Sequence, residues 1–528
     1  MGGVVAAGHP ATARAAARVL EDGGNAVDAC VAAAYASFAC ESLLTGPAAG
    51  GFLLVHDART GEDRLYDGYV AAPDTGDVDR DEATERMVEI PVVFSEEAVQ
   101  RFHCGAASVA VPGVVAAIAA ALEAHGTRPA TELVADGIAL AREGTILGPQ
   151  QALLHQLLSP VVVHTPEAAS VYEPEGRPLE VGHRFAQPEL ADTLMALAAE
   201  GPDHLYRGPL GRAIADEVQR GGGFLTVEDL AAYRVEVRDP IRLPLRGGRT
   251  MLTNPPPSTG GLLIAVALGV LARLGEDLPL AVQWALALQT ANRQRTPELA
   301  AALAGDRPQR AADDLLAPDR LDALAAEARG RVHRRPAVRA DLGSTTHISV
   351  LDEHGNGASL TASTGCASGV IVPGTGILLN NMLGESDLAP LGFFRVVPGH
   401  RLTSMMAPSM VLDAGGDVEL VAGSAGSNRL RSAMTQVIWR TVELGEPVAD
   451  AVGAPRVHCE GDRIEVEPGY SPDQLAGIDD LGKVVRWAAR NWYFGGSNAC
   501  ARTADGRLAG GADPRRGGAA LAAGLHQT

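Results

Sequence analysis

A single lysine, Lys483, stands among the 44 basic residues, and all the others are arginines. That scarcity excludes chemistry needing a lysine elsewhere. Lys483 sits in Leu-Gly-Lys-Val-Val, without the glycine loop of a phosphate-binding Gly-Lys-Ser/Thr, and a pyridoxal Schiff base has no other side-chain amine to use. Basic charge is itself in deficit, 44 residues against 64 acidic ones, for a net −20. An acidic surface repels phosphate and releases no counterions from it, so nucleic acid is not expected as a partner. The six cysteines, at 30, 40, 104, 366, 459 and 500, form no Cys-x-x-Cys pair. Neither a zinc ribbon nor a disulfide framework is indicated, and the expectation is small buried apolar residues. The longest apolar runs, 109–122 and 262–274, fall short of the roughly 18 residues a membrane span needs. The opening Met-Gly-Gly-Val-Val leads into no basic stretch followed by an apolar run, so the expectation is a soluble, cytoplasmic chain with no membrane partner, export entering only if the start is misassigned. Gly-x-Ser-x-Gly, His-Glu-x-x-His, EF-hand loops and a strand-borne Gly-x-Gly-x-x-Gly are all missing. His103, His347, His400 and His458 lack metal spacing and read as core or surface histidines, so no metal or cofactor is expected.

What is present is a globular composition, 46% apolar and 20% charged over 528 residues. Length alone allows three or four domains or one large α/β unit. Apolar spacing predicts helices over 11–20 and 25–40, then a hairpin over 52–56 and 64–67, then loop over 74–85. Residues 108–112 read as a strand entering a helix that ends near His125-Gly126. From 128 to 300 the pattern is mostly helical, at 130–143, 187–200, 210–220 and 262–273, with Asn254-Pro-Pro-Pro-Ser-Thr-Gly-Gly as a loop. No internal repeat or low-complexity linker divides the chain. Gly374-Thr-Gly376 reads as a turn before a strand at 377–379. Residues 330–344 mix charge, proline and glycine and read as an exposed loop, after which Thr345-Thr-His-Ile-Ser-Val-Leu and 358–363 form a hairpin about His354-Gly-Asn-Gly357.

The junction Gly343-Ser344-Thr345-Thr346-His347 can carry chemistry. A threonine is a nucleophile when its own freed α-amine acts as base, because amine and hydroxyl share one residue and the amine titrates near pH ~8. This requires the preceding peptide bond to be cut. On spacing alone a Ser-Thr-Thr at a strand start is more often simply a β-prone stretch with no catalytic role.

Several ordered stretches carry a resemblance over nearly the whole chain. They include Gly-Gly-Asn-Ala-Val-Asp-Ala (23–29), Thr-Gly-Pro-Ala-Ala-Gly-Gly-Phe (45–52), Ser-Val-Ala-Val-Pro-Gly-Val (108–114) and Asn-Pro-Pro-Pro-Ser-Thr-Gly-Gly (254–261). More specific are Thr-Thr-His-Ile-Ser-Val-Leu-Asp (345–352), Gly-Ile-Leu-Leu-Asn-Asn (376–381), Leu-Thr-Ser-Met-Met-Ala-Pro (402–408) and Gly-Gly-Ala-Asp-Pro-Arg-Arg (510–516). In these the chain resembles the γ-glutamyltransferase (glutathione hydrolase) family of N-terminal-nucleophile hydrolases. The resemblance implies an αββα sandwich, α+β in class, made from a precursor that cuts itself between Ser344 and Thr345. Segments 1–344 and 345–528 would stay together in one domain. It implies a hydrolase or acyltransferase in which Thr345 attacks a γ-glutamyl amide such as glutathione and passes the acyl group to water or an amino acid. Ser363 falls where the family keeps a threonine supporting the nucleophile. Thr403 and Ser404 fall where two serines bind the substrate α-carboxylate, and Gly426 and Ser427 match the paired amides of the oxyanion hole.

Departures bear on specificity. After Asn380-Asn381 the bacterial prototypes read Gln-Met-Asp-Asp, the acidic residue gripping the substrate amine, and this chain reads Met382-Leu-Gly-Glu385, which gives that role to Glu385 with a longer arm. Gly365 stands where an asparagine is expected, and near Tyr69-Val-Ala-Ala-Pro no arginine matches the carboxylate-binding one. A missing bidentate clamp weakens recognition of a free glutamate carboxylate. Two alternatives follow: a related amide acylase with another acyl substrate, and a catalytically silent homologue serving as a scaffold.

Overall fold

Strand Gly3–Ala7 and helix Pro10–Glu21 set the pattern of the chain, an apolar strand buried at every position followed by a helix laid back over the sheet. His9 caps this helix, its Nδ1 accepting from the Ala11 amide at 3.0 Å, and Pro10 occupies the first turn, where no intrahelical donor is lost. Asn25 caps the next helix, Ala26–Cys40, with Asp28 closing a capping box. Every residue of that helix is buried, as its apolar character all round requires. The computed structural model describes residues 2–95, 98–330 and 345–524.

Seven strands form the first sheet, in the order Ala519–Ala523, Gly3–Ala7, Thr346–Asp352, Gly357–Ser363, Gly50–Asp57, Glu62–Gly68 and Glu236–Arg238, all antiparallel. Six form the second, in the order Leu508–Ala512, Gly496–Arg502, Val418–Ala425, Ser409–Leu412, Thr250–Thr253 and Ile241–Pro244. The sheets stack face to face, and polar links cross between them: the Ser359 hydroxyl donates to the Ala422 carbonyl at 3.2 Å, and the Cys500 thiol to the Ser349 carbonyl at 3.2 Å. Ala26–Cys40 and Val114–His125 cover the outer face of the first sheet, and Gly260–Leu274 and Arg429–Ile438 that of the second. The result is the αββα sandwich. Strands from before and after residue 345 lie side by side in both sheets, so a cut there would divide the chain without dividing the core.

The helices over 10–40, the first hairpin and the helices Pro188–Glu200, Pro209–Arg220 and Gly260–Leu274 lie where spacing predicts them. All six cysteines are free and buried, as expected. Two local expectations are corrected. Within 74–85, expected as loop, Arg80–Glu85 is helical because the Asp79 carboxylate accepts from the Asp81 and Glu82 amides. Residues 108–112, expected as a strand, enter no sheet: Ala106–Ser108 is a 3₁₀ turn, and the Asn380 side chain takes both the Ala110 amide and its carbonyl, the place a neighbouring strand would fill. Beyond Gly330, which ends the helix Pro318–Arg329, the expected loop 330–344, with Ser344, lies outside the described residues. Among the described residues, no helix is long and apolar enough to cross a membrane, and no group of three His, Cys, Asp or Glu side chains could hold a metal ion.

Candidate active site

Thr345 immediately precedes the third strand of the first sheet, beside the end of its hairpin partner, where Thr346 pairs with Ala362. It is 5% exposed. The next residue fixes this position: Thr346 Oγ1 donates to Glu41 Oε2 at 2.5 Å, and Thr12 Oγ1 donates to Glu41 Oε1 at 2.6 Å. Burial raises the Glu41 pKa, opposed by those two hydroxyl donors.

A cleft of about 410 Å³, open mouth included, brings Thr345 together with Ser363, Glu385, Ser404 and Ser427. These come from strand ends and loops far apart in sequence. Ser363 Oγ accepts from the Gly365 amide at 2.9 Å. Glu385 is buried, and its Oε1 accepts from the Cys366 amide at 3.1 Å. Ser404 Oγ accepts from the Met406 amide at 3.1 Å, while the Ser404 carbonyl accepts from the Thr259 and Gly260 amides, tying this loop to the start of Gly260–Leu274. Thr403, predicted beside Ser404, is turned away. Its hydroxyl donates to the Pro257 carbonyl at 2.9 Å and it lines a neighbouring groove, because adjacent residues of an extended segment point to opposite sides.

Gly426 and Ser427 follow strand Val418–Ala425 directly, with φ of 120° and 49°. Both lie in the left-handed half of the map, where a side chain is strained. Ser427 is held there by its hydroxyl, which donates to Asp387 Oδ2 at 2.9 Å, and Arg295 in turn lies 3.4 Å from Asp387 Oδ1.

Gly365 explains its own departure from the family pattern. Its φ is +72°, and a β-carbon there would lie 2.0 Å from Asn381 Oδ1 and 3.0 Å from Glu385 Oε1. Asn381 Oδ1 instead accepts from the Cys366 amide at 2.8 Å. Gly365→Asn should therefore destabilise the fold by about 1–3 kcal/mol, because its β-carbon drives Asn381 Oδ1 off the buried Cys366 amide. Denaturant unfolding reads this, and a variant as stable as the parent would contradict the packing.

The sequence pointed to the region of Tyr69 only as the place of a missing arginine. Here Tyr69 is itself part of the cleft wall, stacked on Phe52 with ring centres 5.0 Å apart, its hydroxyl donating to Met382 Sδ at 3.5 Å. Burial pushes its pKa up, with Ser404 the hydrogen-bonding neighbour and Glu385 a nearby charge. Among the described residues, no arginine lines this cleft. The nearby Arg401 is committed elsewhere, to Asp67 at 3.2 Å and over the Tyr233 ring.

His347 is no general base. It is fully buried, Nε2 bonded to Ser349 Oγ and Nδ1 to Thr361 Oγ1, both at 2.8 Å. Ser349 donates to the Asn498 carbonyl, so Nε2 carries the ring proton and Thr361 donates to Nδ1. Burial lowers its pKa from 6.5 to about 3. With the folded value below the unfolded one, its contribution to stability is present above pH 6.5 and is lost as pH falls, at up to about 1.4 kcal/mol per pH unit. A His347→Gln variant should lose less stability than the parent between pH 7 and 5.5, measured by denaturant unfolding.

A threonine at the head of an inner strand, a neighbouring serine and a strained glycine turn, set between the layers of an αββα sandwich, define an N-terminal-nucleophile hydrolase site. Residues 12–523 match the family model described as Gamma-glutamyltranspeptidase, and the chain belongs to that family. It is 32% identical to the "Acylase ACY 1 proenzyme" of Pseudomonas sp. (strain SE83) over 534 residues, covering 98% of this chain and 93% of that protein. It is 30% identical over 540 residues to the "Glutathione hydrolase proenzyme" of Escherichia coli (strain K12), covering 97% and 90%. The crystal structure of cephalosporin acylase from Bacillus halodurans superposes with a TM-score of 0.83 at 25% identity, covering 98% of this chain and 95% of that one.

Proposed function

We propose that the chain is a self-processing threonine amidohydrolase and acyltransferase acting on γ-glutamyl amides. The observation that carries this is the convergence of Thr345, Ser363, Glu385, Ser404 and Ser427 on one cleft. Cleavage after Ser344 frees the Thr345 amine, which in its neutral form takes the hydroxyl proton as Oγ1 attacks the amide carbon. The tetrahedral oxyanion is met by the amides of Gly426 and Ser427, preorganised donors worth about 3 kcal/mol each. As the C–N bond breaks, the amine returns its proton to the departing nitrogen and leaves an ester on Thr345. Water or an amino acid then attacks that ester and releases the acyl group. Glu385 faces the substrate ammonium, and with Thr403 bonded to Pro257 the carboxylate falls to Ser404, with Tyr69 beside it.

A second reading, an acylase for a non-glutamyl acyl group, is favoured by one observation: no arginine among the described residues lines the acyl cleft. Two anilides that differ only in the α-amine separate the readings, γ-glutamyl-4-nitroanilide and glutaryl-4-nitroanilide. If Glu385 binds an ammonium, the first is turned over with a kcat/KM at least about tenfold higher, the worth of one charge-assisted contact. Equal or faster turnover of the glutaryl compound would assign the chain to the acylases.

A further inference from the structure

A second cleft opens on the other side of Thr345, enclosing about 630 Å³ with its open mouth included. Glu41, Leu154, His155, Trp492 and Arg516 line it with Thr345. Arg516 is 7% exposed, and its Nε and both terminal nitrogens are buried without a hydrogen-bond partner among the described residues. Its guanidinium carbon lies 3.4 Å from the centre of the Trp492 ring, which holds the planar group in place. One terminal nitrogen would lie 2.9 Å from a β-carbon on Gly426, so this cation sits beside the proposed oxyanion hole.

A buried guanidinium with unanswered donors is costly unless something pairs with it. The acids around it are already taken. Asp513 Oδ2 accepts from Arg456 at 2.5 Å and from the Ser497 amide, and Asp513 Oδ1 accepts from Arg515 at 3.1 Å. Glu467 accepts from Arg515 through both carboxylate oxygens. Two acids thus balance two arginines and leave Arg516 over. Glu41, the remaining acid on this wall near Thr345, is held by Thr12 and Thr346 and has its pKa raised. Burial lowers the His155 pKa to about 4, so that ring is neutral and competes for no anion at neutral pH. Burial, with repulsion from Arg429 and Arg456 and against Asp513, lowers the pKa of Arg516 itself to about 9, which leaves it charged at pH 7.

We propose that this second cleft receives the amine half of the reaction, as leaving group or as acceptor, and that Arg516 binds a carboxylate carried by that amine, with Trp492, Leu154 and Phe185 around its apolar body. The proposal rests on the acyl-transfer reading, since Thr345 Oγ1 must lie between acyl and amine halves. It gives the absent arginine of the acyl cleft a counterpart on the opposite side, where the guanidinium meets the carboxylate of the amine half.

The test is equilibrium binding, which needs no turnover. Purified parent protein, Arg516→Gln and Arg516→Lys are titrated by calorimetry with 4-aminobenzoate and with its neutral isostere 4-aminobenzamide. The parent should bind the carboxylate at least about tenfold more tightly than the amide. Arg516→Gln should bring the ratio close to one, and Arg516→Lys should keep part of it, which also serves if the glutamine variant does not fold. A parent without preference, or a preference surviving in Arg516→Gln, overturns the proposal. Failure of the γ-glutamyl reading would appear in the anilide comparison instead and leaves this ratio untouched.

Discussion

Thr345→Ala should remain a single chain of 528 residues where the parent should run as segments 1–344 and 345–528, and its amide hydrolysis should be undetectable. Both effects would have one cause, loss of the Oγ1 proposed to attack the bond before residue 345 and later the substrate. Its neighbours in sequence and the thiols do not substitute for it. His347 is tied on both ring nitrogens and held neutral by burial, and the cysteines are all buried, which pushes the thiol pKa values of Cys366 and Cys459 up. Thr346 is committed to Glu41. The fold should survive, because the alanine replaces a buried hydroxyl at the head of a strand whose pairing is made by the backbone from residue 346 onward. Circular dichroism and gel electrophoresis check the two halves together. A variant that still cuts, or hydrolyses at more than about a thousandth of the parental rate, would move the nucleophile elsewhere.

The second large effect belongs to the turn after Val418–Ala425. Gly426→Ala places a methyl at φ 120°, 2.9 Å from both Arg516 and the Gly495 α-carbon, so the amides at 426 and 427 must shift. Misplacing one preorganised donor lowers kcat by about 100- to 1,000-fold. Ser427→Ala keeps its amide and loses only the hydroxyl bond to Asp387, so its cost in kcat should be far smaller. The contrast separates backbone from side chain. Steady-state kcat for the two variants checks it, and a larger loss at 427 than at 426 would show that the serine hydroxyl is the working group.

Legibility followed the type of signal. Long helices such as Ala26–Cys40 and Gly260–Leu274 announce themselves by apolar content and by caps at Asn25 and Gly275. The hairpin that begins at Thr346 reads from alternation and a glycine turn. The second sheet was hard to read, since Thr250–Thr253 and Ile241–Pro244 are four-residue strands inside a helical stretch and owe their place to partners at 409–412 and beyond. The segment 108–112 misled because its backbone pairing stops at one isolated bridge, Val111 to Ala71, while Ala110 is taken by the side chain of Asn380, a long-range fact with no local sign. At the site, Thr345, Ser363, Glu385, Ser404, Gly426 and Ser427 were found by motif order. Thr403 was found too, but which of two adjacent hydroxyls faces the cleft depends on strand orientation. Tyr69 and Glu41 carry no motif, and Arg516 closes Gly-Gly-Ala-Asp-Pro-Arg-Arg with no role attached to it. Their significance comes from burial and from unanswered or doubly answered polar atoms, quantities that exist only once the chain is folded.

The most direct test of the central claim is the N-terminal sequence of the shorter segment from purified parent protein. A start at Thr-Thr-His-Ile-Ser, residues 345–349, with the longer segment ending at Ser344, is the predicted result. A single uncut chain after prolonged incubation, or a new N-terminus at any other residue, would contradict it.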